Sequence, residues 1–203
     1  MRWKVTLLLA AIVATTGCAS MARDTGQQGP GASAVAGELA GSELAAFTDD
    51  AFYVRTWRSE DLDGDDDRDV VAILEEKIKG ADRPRTLLVL RRSADGRLER
   101  TVENRNAILP ASHGGTLGDP LRELVAHTGG FALIFEVGAR GLSSRRYAFD
   151  YVPARKTWML TTLQTRVLDR HEGDAREKQF GVRDFGNVSV SEFDPQSLPD
   201  EGI

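Results

Sequence analysis

The sequence predicts a mainly β domain, a β-rich α+β fold in which antiparallel hairpins form one sheet or a small sandwich. Short segments of aromatic and β-branched residues recur along the chain, for example at residues 52–57 and 70–74. Asp95 and Gly96 lie between two apolar segments, and Asp-Gly in this position is typical of a tight hairpin turn. No internal repeat is visible in the sequence, so a full propeller is not expected.

The first elements of this domain are a short helix and four strands. Residues 38–47 carry good helix formers and predict one N-terminal helix. Strands are then expected at residues 52–57, 70–74, 86–91 and 98–103.

The segment after the Gly- and Pro-rich loop 110–120 is compatible with two structures. Apolar residues spaced after Pro120 resemble a capped helix start, whereas the hairpins on both sides favour a strand. We expect a strand here, followed through Gly129 and Gly130 by another strand at residues 131–135.

The last third of the domain predicts one more hairpin and a charged segment. Aromatic residues alternate with other residues over 147–152, and a turn is expected at 153–156. Residues 158–162 would then form a second, antiparallel strand, so the pattern indicates a hairpin with one buried face. Residues 169–178 are charged and expected to be exposed, and residues 180–193 are expected to pack back on the sheet. The aromatic residues predicted for the core are Trp57, Trp158, Phe135 and Phe149.

The N-terminus predicts export. Arg2 and Lys4 precede an apolar run of about ten residues, which is too short to span a membrane and is typical of a signal peptide. The following Thr-Thr-Gly-Cys resembles the lipobox of bacterial lipoproteins. That resemblance implies cleavage after residue 17, lipid attachment to Cys18 and anchoring to a membrane. Ala19 and Ser20 lack the inner-membrane retention signal of those proteins, so we expect the outer membrane, with the domain facing the periplasm.

Composition divides the exported chain into a tether and one domain. Residues 18–41 comprise the lipidated cysteine and a Gly-, Ala- and Ser-rich segment that predicts a flexible tether. The globular domain is expected over residues 42–195, and residues 196–203 are expected to be frayed. Because Cys18 is the only cysteine, the domain is expected to have no disulfide.

Net charge limits the partners. The formal charge is −5, and removal of the leader takes it to about −7, whereas nucleic-acid-binding proteins carry a basic surface. We therefore expect no nucleic-acid partner. An envelope protein or a glycan remains a candidate partner, besides the membrane itself.

An acidic loop between two predicted strands is the strongest chemical motif. Aspartates occupy every second position of residues 61–69: Asp61, Asp63, Asp65, Asp67 and Asp69. These carboxylates repel one another unless a cation lies among them, and oxygen ligands with loose geometry suit Ca²⁺ better than Mg²⁺. The loop is not an EF-hand, because positions 6 and 12 of that motif are occupied by Asp66 and Ala72.

The acidic loop resembles the D-x-[DN]-G-D-x-x-x-D loop of FG-GAP and VCBS-type repeats, in a single copy. The resemblance implies a structural Ca²⁺ held by the side chains of Asp61, Asp63, Asp65 and Asp69 and by the backbone carbonyl of Asp67. Asp66 stands where that family usually has Gly, which predicts strain in the turn.

The whole domain also resembles a group of uncharacterised bacterial envelope lipoproteins. The resemblance is carried by the acidic loop, by the segments TLLVLRRSADGRL and YAFDYVPARKTWML, by residues 114–120 and by residues 184–188. It implies the fold and the location but no activity.

The sequence contains no convincing catalytic motif. It lacks a G-x-S-x-G or S-x-x-K motif, and its three histidines form no short metal-ligand pattern. A binding or structural role is therefore the leading prediction. One alternative is a periplasmic hydrolase or glycan-modifying enzyme using His113 with a carboxylate, and another is an envelope assembly factor.

A group of basic residues around one hairpin is open to two interpretations. It could form a patch for anionic glycans or lipid head groups, or it could be an ordinary solvated strand face. Its members are Arg140, Arg145, Arg146, Arg155 and Lys156.

Overall fold

The computed structural model describes residues 42–80, 82–138, 141–169 and 174–198, and over these residues the chain folds into two antiparallel sheets. The predicted mainly β class is confirmed. The first sheet has the order β1-β2-β3-β4, with β1 (Phe52–Glu60), β2 (Asp69–Glu76), β3 (Arg85–Arg92) and β4 (Leu98–Asn104). The second sheet has the order β5-β6-β7-β8-β9, with β5 (Leu121–His127), β6 (Gly130–Gly138), β7 (Gly141–Val152), β8 (Thr157–Asp169) and β9 (Ala175–Gly181).

Strand β2 is buried on both faces because two different layers cover the first sheet. Val71 and Ile73 belong to the main core shared with the second sheet. Their neighbours on the opposite face, Val70 and Ala72, pack with Leu44 in a second cluster. Residues 42–44 are helical and lead into a 3-10 turn (Ala45–Phe47). This part of the predicted helix covers the outer face of the first sheet. The remainder of the predicted helix, residues 38–41, lies outside the described residues.

Aromatic side chains fill the space between the sheets. Trp158, Phe135 and Phe149 are at most 1% exposed, which confirms three of the four aromatic residues predicted for the core. The prediction for Trp57 is wrong, because Trp57 is only partly buried and packs on the outer cluster of the first sheet. Phe193 closes the core, with its ring 4.9 Å from that of Phe149.

The strand predicted after the 110–120 loop is confirmed as β5, and the helix alternative does not form. The Asp95-Gly96 turn joins β3 to β4, with Gly96 at a φ of 83°, a conformation that favours glycine. Part of the segment predicted to be charged and exposed forms β9, which stays exposed as the edge strand beside β8.

The C-terminal segment packs as predicted for residues 180–193. A one-turn helix, α1 (Val182–Phe185), follows β9, and Val190 and Phe193 are fully buried. Leu198, beyond the boundary predicted at residue 195, is 8% exposed and belongs to the main core.

Within the described ranges no helix is long and apolar enough to cross a membrane. The predicted signal peptide, Cys18 and the tether lie outside those ranges.

Candidate metal loop and buried ion network

The acidic loop (residues 61–69) joins β1 to β2 and is shaped by its own first carboxylate. Oδ1 of Asp61 accepts hydrogen bonds from the backbone N–H groups of Gly64 at 2.7 Å and Asp65 at 3.1 Å. Its Oδ2 accepts one from the N–H of Asp66 at 3.2 Å. A short acceptor side chain that captures successive N–H groups folds the chain around itself.

The last aspartate of the loop is built into the sheet. Asp69 is fully buried, and its two oxygens accept hydrogen bonds from the backbone N–H groups of Leu62 at 3.0 Å and Arg92 at 2.8 Å. Burial, with a smaller contribution from the charges of Asp63 and Asp65, raises the pKa of Asp69 to about 6 against the opposing effect of these hydrogen bonds.

Three of the predicted ligands converge. The carboxylates of Asp61, Asp63 and Asp65 each offer an oxygen, and these oxygens all lie within 4.8 Å of one another. The side chain of Asp63 is only 1% exposed, and within the described residues neither of its oxygens accepts a hydrogen bond. Burial raises the pKa of Asp63 above its ordinary value, and the neighbouring Asp65 adds to this. A buried carboxylate without hydrogen bonds requires a compensating charge.

The compensating charge in this structure is Arg91 of β3. Its guanidinium makes an ion pair with Asp63 and a second with Asp65, the latter at 3.1 Å. The same guanidinium lies 5.7 Å from the ring centroid of Tyr151, in cation–π contact. Arg91 is therefore an internal cation beside the place where the three carboxylates meet.

The side chains of the two other predicted ligand residues, Asp67 and Asp69, do not join the three converging carboxylates. Both oxygens of Asp69 are used by backbone N–H groups, and its side chain is not one of the three that converge. The side chain of Asp67 is exposed, and the predicted role of this residue required only its carbonyl. Asp66 has a φ of 70°, the left-handed conformation for which the resembling loops use glycine.

The acidic loop also joins the two sheets. Leu62 is fully buried in the main core, and its carbonyl accepts a 2.6 Å hydrogen bond from the indole N–H of Trp158. The carbonyl of Asp61 accepts another from the N–H of Gly129 in the β5–β6 turn, at 2.8 Å. Anything that fixes the loop therefore also fixes the packing of the first sheet on the second.

Sequence analysis did not identify a buried ion network at the opposite end of β2 from the acidic loop. Its members are Tyr53, Arg55, Glu75, Arg83, Arg85 and Asp119.

Glu75 lies at the centre of this ion network and is fully buried. Its Oε2 accepts hydrogen bonds from Arg85 at 2.9 Å and Arg55 at 3.1 Å. Its Oε1 accepts one from the Tyr53 hydroxyl, and the Nε of Arg83 lies 2.9 Å from it. Burial by itself raises the pKa of Glu75, but the Tyr53 hydroxyl and Arg85 outweigh it and hold the pKa below its ordinary value.

Asp119 attaches the 110–120 loop to this ion network. Arg85 donates to both Asp119 oxygens, at 2.8 Å and 2.5 Å, and Arg55 pairs with the same carboxylate. Burial raises the pKa of Asp119, but the hydrogen bonds from Arg85 and from the N–H of Leu121, together with the charges of Arg85 and Arg55, outweigh it, and the pKa is lowered overall. Two arginines of the first sheet thus hold the loop that leads into the second sheet.

The sequence contains one indication of this ion network. Glu75 follows the apolar run 70–74 directly, and a carboxylate that continues a strand buried on both faces requires a cation. Its partners could not be identified from the sequence, because Asp119 is 44 residues away and the register of the strands decides which arginine faces Glu75.

His113 shows no catalytic arrangement. It lies in a 3-10 turn (Ala111–Gly114) and is exposed, and among the described residues no carboxylate is paired with its ring.

The basic residues around the β7–β8 hairpin do not form one patch. Arg145 and Arg146 are adjacent in β7 and so lie on opposite faces, while Arg155 and Lys156 lie in the turn at the far end of that strand. Arg140 lies outside the described residues. Of the described members of this group, Arg146 lines a groove on the second sheet and remains a candidate binding residue.

Comparison with protein-family models, with curated proteins and with solved structures gives no significant match for this chain.

Proposed function

We propose that this chain is a lipid-anchored protein of the bacterial cell envelope whose β domain is stabilised by one Ca²⁺ in the acidic loop and has a binding or structural role. The observation that carries the calcium proposal is the carboxylate of Asp63. It is buried, accepts no hydrogen bond from the part of the chain that the structure describes, and meets the carboxylates of Asp61 and Asp65 within 4.8 Å, with the ion pair to Arg91 as its compensation.

Oxygen-only ligands favour a hard cation at this position. Ca²⁺ accepts six to eight oxygens in flexible geometry, and three carboxylates, with water completing the coordination, are a suitable set. Asp69 then holds the loop against the first sheet through its hydrogen bonds from the N–H groups of Leu62 and Arg92. A Ca²⁺ concentration of about 100 times the dissociation constant would stabilise the folded state by about 2.7 kcal/mol.

A stabilising role follows from what the loop contacts. Leu62 lies in the core, and the carbonyls of Asp61 and Leu62 bind the second sheet. Ion binding that orders the loop is therefore expected to strengthen the packing of one sheet on the other.

Thermal unfolding of the full chain in Ca²⁺ and in chelator tests the calcium proposal. We expect a higher melting temperature in Ca²⁺ and no such difference in an Asp63→Asn variant. Asp67→Asn is the matched control, since it removes a carboxylate of the same loop whose side chain is exposed. The control should keep most of the Ca²⁺ response. Equal responses of the wild type, Asp63→Asn and the control, or no response at all, would contradict the proposal and leave Arg91 as the sole counter-ion.

The anchoring proposal rests on the sequence MRWKVTLLLAAIVATTGC and is tested separately. Expression in a Gram-negative host with a radiolabelled fatty acid should label the wild type and leave a Cys18→Ser variant unlabelled. Label in both proteins would contradict lipid attachment at Cys18, whatever the outcome of the calcium experiment.

A further inference from the structure

The face of the second sheet that points away from the core carries a polar row. Register aligns Ile134 of β6, Arg146 of β7, Gln164 of β8 and Gln179 of β9 as direct neighbours across four strands. These side chains line a groove of about 390 Å³, which we call the outer groove. The row is open to solvent, since Gln164 and Gln179 are exposed.

Arg146 is the unusual member of this row. It is partly buried, yet it has no hydrogen bond or ion pair with any residue in the described part of the chain. By contrast, Arg166 in the next row already pairs with Glu177 at 3.2 Å. The outer groove therefore contains one uncompensated positive charge on a protein whose net charge is negative.

The neighbours of Arg146 are neutral groups that suit a polyhydroxylated ligand. Gln164 and Gln179 are joined side chain to side chain at 3.4 Å, and each amide still offers donors and acceptors to solvent. Ser144, one row further along β7, adds a hydroxyl, and Ile134 adds an apolar surface against which the C–H face of a sugar ring can pack.

We propose that the outer groove binds an acidic saccharide, with a sugar carboxylate on Arg146 and sugar hydroxyls on Gln164 and Gln179. A guanidinium binds a carboxylate through two parallel N–H donors, which orients the ligand as well as attracting it. The volume lies at the lower end of the range of small-ligand sites and matches one or two sugar units. This inference goes beyond the proposed calcium role and does not depend on it.

The test is an NMR titration of the full chain with three probes: a uronic-acid oligosaccharide, a neutral oligosaccharide of the same length, and acetate. We expect the acidic oligosaccharide to shift the amide signals of β7, β8 and β9, and to bind more tightly than either other probe. Repeating the titration in chelator separates this site from the acidic loop, because binding should persist there whether or not the calcium proposal holds.

Variants decide whether Arg146 carries the interaction. Arg146→Gln should weaken binding of the acidic oligosaccharide by about 10-fold to 100-fold, the cost of losing hydrogen bonds to a charged group. Its melting temperature should stay close to that of the wild type, since no side-chain partner of Arg146 lies among the described residues. Arg97→Gln, at a side chain that is 83% exposed beside the β3–β4 turn, makes the same charge change in the first sheet and should bind as the wild type does.

Three results would overturn the proposal. One is the absence of any shift with the acidic oligosaccharide, and another is equal weakening by Arg146→Gln and Arg97→Gln. The third is acetate binding as tightly as the saccharide, which would identify a bare carboxylate contact with no recognition of sugar.

Discussion

Replacing Glu75 by Gln should cost more stability than any other single charge removal among the described residues. The Glu75 carboxylate is fully buried, accepts three hydrogen bonds and faces three arginines. Glutamine has nearly the same shape but only one acceptor oxygen, and its NH₂ group would point at a guanidinium. Arg85, whose side chain is 1% exposed, would then lose one of the two carboxylates that neutralise it and keep only Asp119.

The expected magnitude follows from that geometry. Removing one partner of a buried, hydrogen-bonded ion pair costs about 3–5 kcal/mol, because the remaining charge is left uncompensated. For a chain of this length that corresponds to a fall in melting temperature of about 6–20 °C. Asp119→Asn, at a carboxylate that is 25% exposed, should cost less, about 1.5–3 kcal/mol.

Chemical denaturation with a matched control measures this effect. Glu103→Gln removes a carboxylate that pairs with Arg100 and Arg105 at the surface, and it should change the free energy of unfolding by about 1 kcal/mol or less. A Glu75→Gln loss as small as that of the control would refute the reasoning. The double variant with Asp119→Asn should be non-additive, because both carboxylates bind Arg55 and Arg85.

Three further predictions concern the acidic loop. Arg91→Gln should tighten Ca²⁺ binding by about 10-fold or more, measured by calorimetry, because the substitution removes the cation that competes for Asp63 and Asp65. Unchanged or weaker binding would show that Arg91 does not compete with Ca²⁺. Asp66→Gly should raise the free energy of unfolding by up to about 1 kcal/mol, because it relieves a φ of 70° in a non-glycine residue, and a clear loss of stability would contradict this account. In chelator, raising the pH from about 4 to 6 should lower the free energy of unfolding by up to about 3 kcal/mol. Asp69 has a pKa of about 6 in the folded state and about 4 in the unfolded state, so the folded state binds this proton more tightly and loses that advantage as the pH rises. Urea denaturation across this range should show a clearly smaller slope in Asp69→Asn than in the wild type, because the raised pKa of Asp63 still contributes in the variant; an equal slope in the two proteins would contradict the account.

The strand pattern was readable from the sequence because it depends on local chemistry. β-branched runs, the Asp95-Gly96 turn and the alternation around Phe149 each determine a conformation within a few residues. β9 was the exception. Its residues are charged and exposed because it is an edge strand, and an exposed edge strand resembles an exposed coil in composition.

The same distinction applies to the candidate sites. Alternating aspartates identified the acidic loop, and three of them converge through hydrogen bonds within the loop itself. The presence of Arg91 and the bond from Arg92 to Asp69, however, depend on how β2 pairs with β3. The basic hairpin residues were separated by strand alternation, which left only Arg146 in the outer groove.

The sequence by itself determined the β class, the hairpin turns, the acidic loop and the expectation of export, since each is encoded within a short stretch of neighbouring residues. Only the tertiary structure decided that Glu75 and Asp119 share Arg55 and Arg85, and that Arg146, Gln164 and Gln179 share one row. These groups are distant in the chain, and strand register and sheet packing, which no local pattern fixes, bring them together.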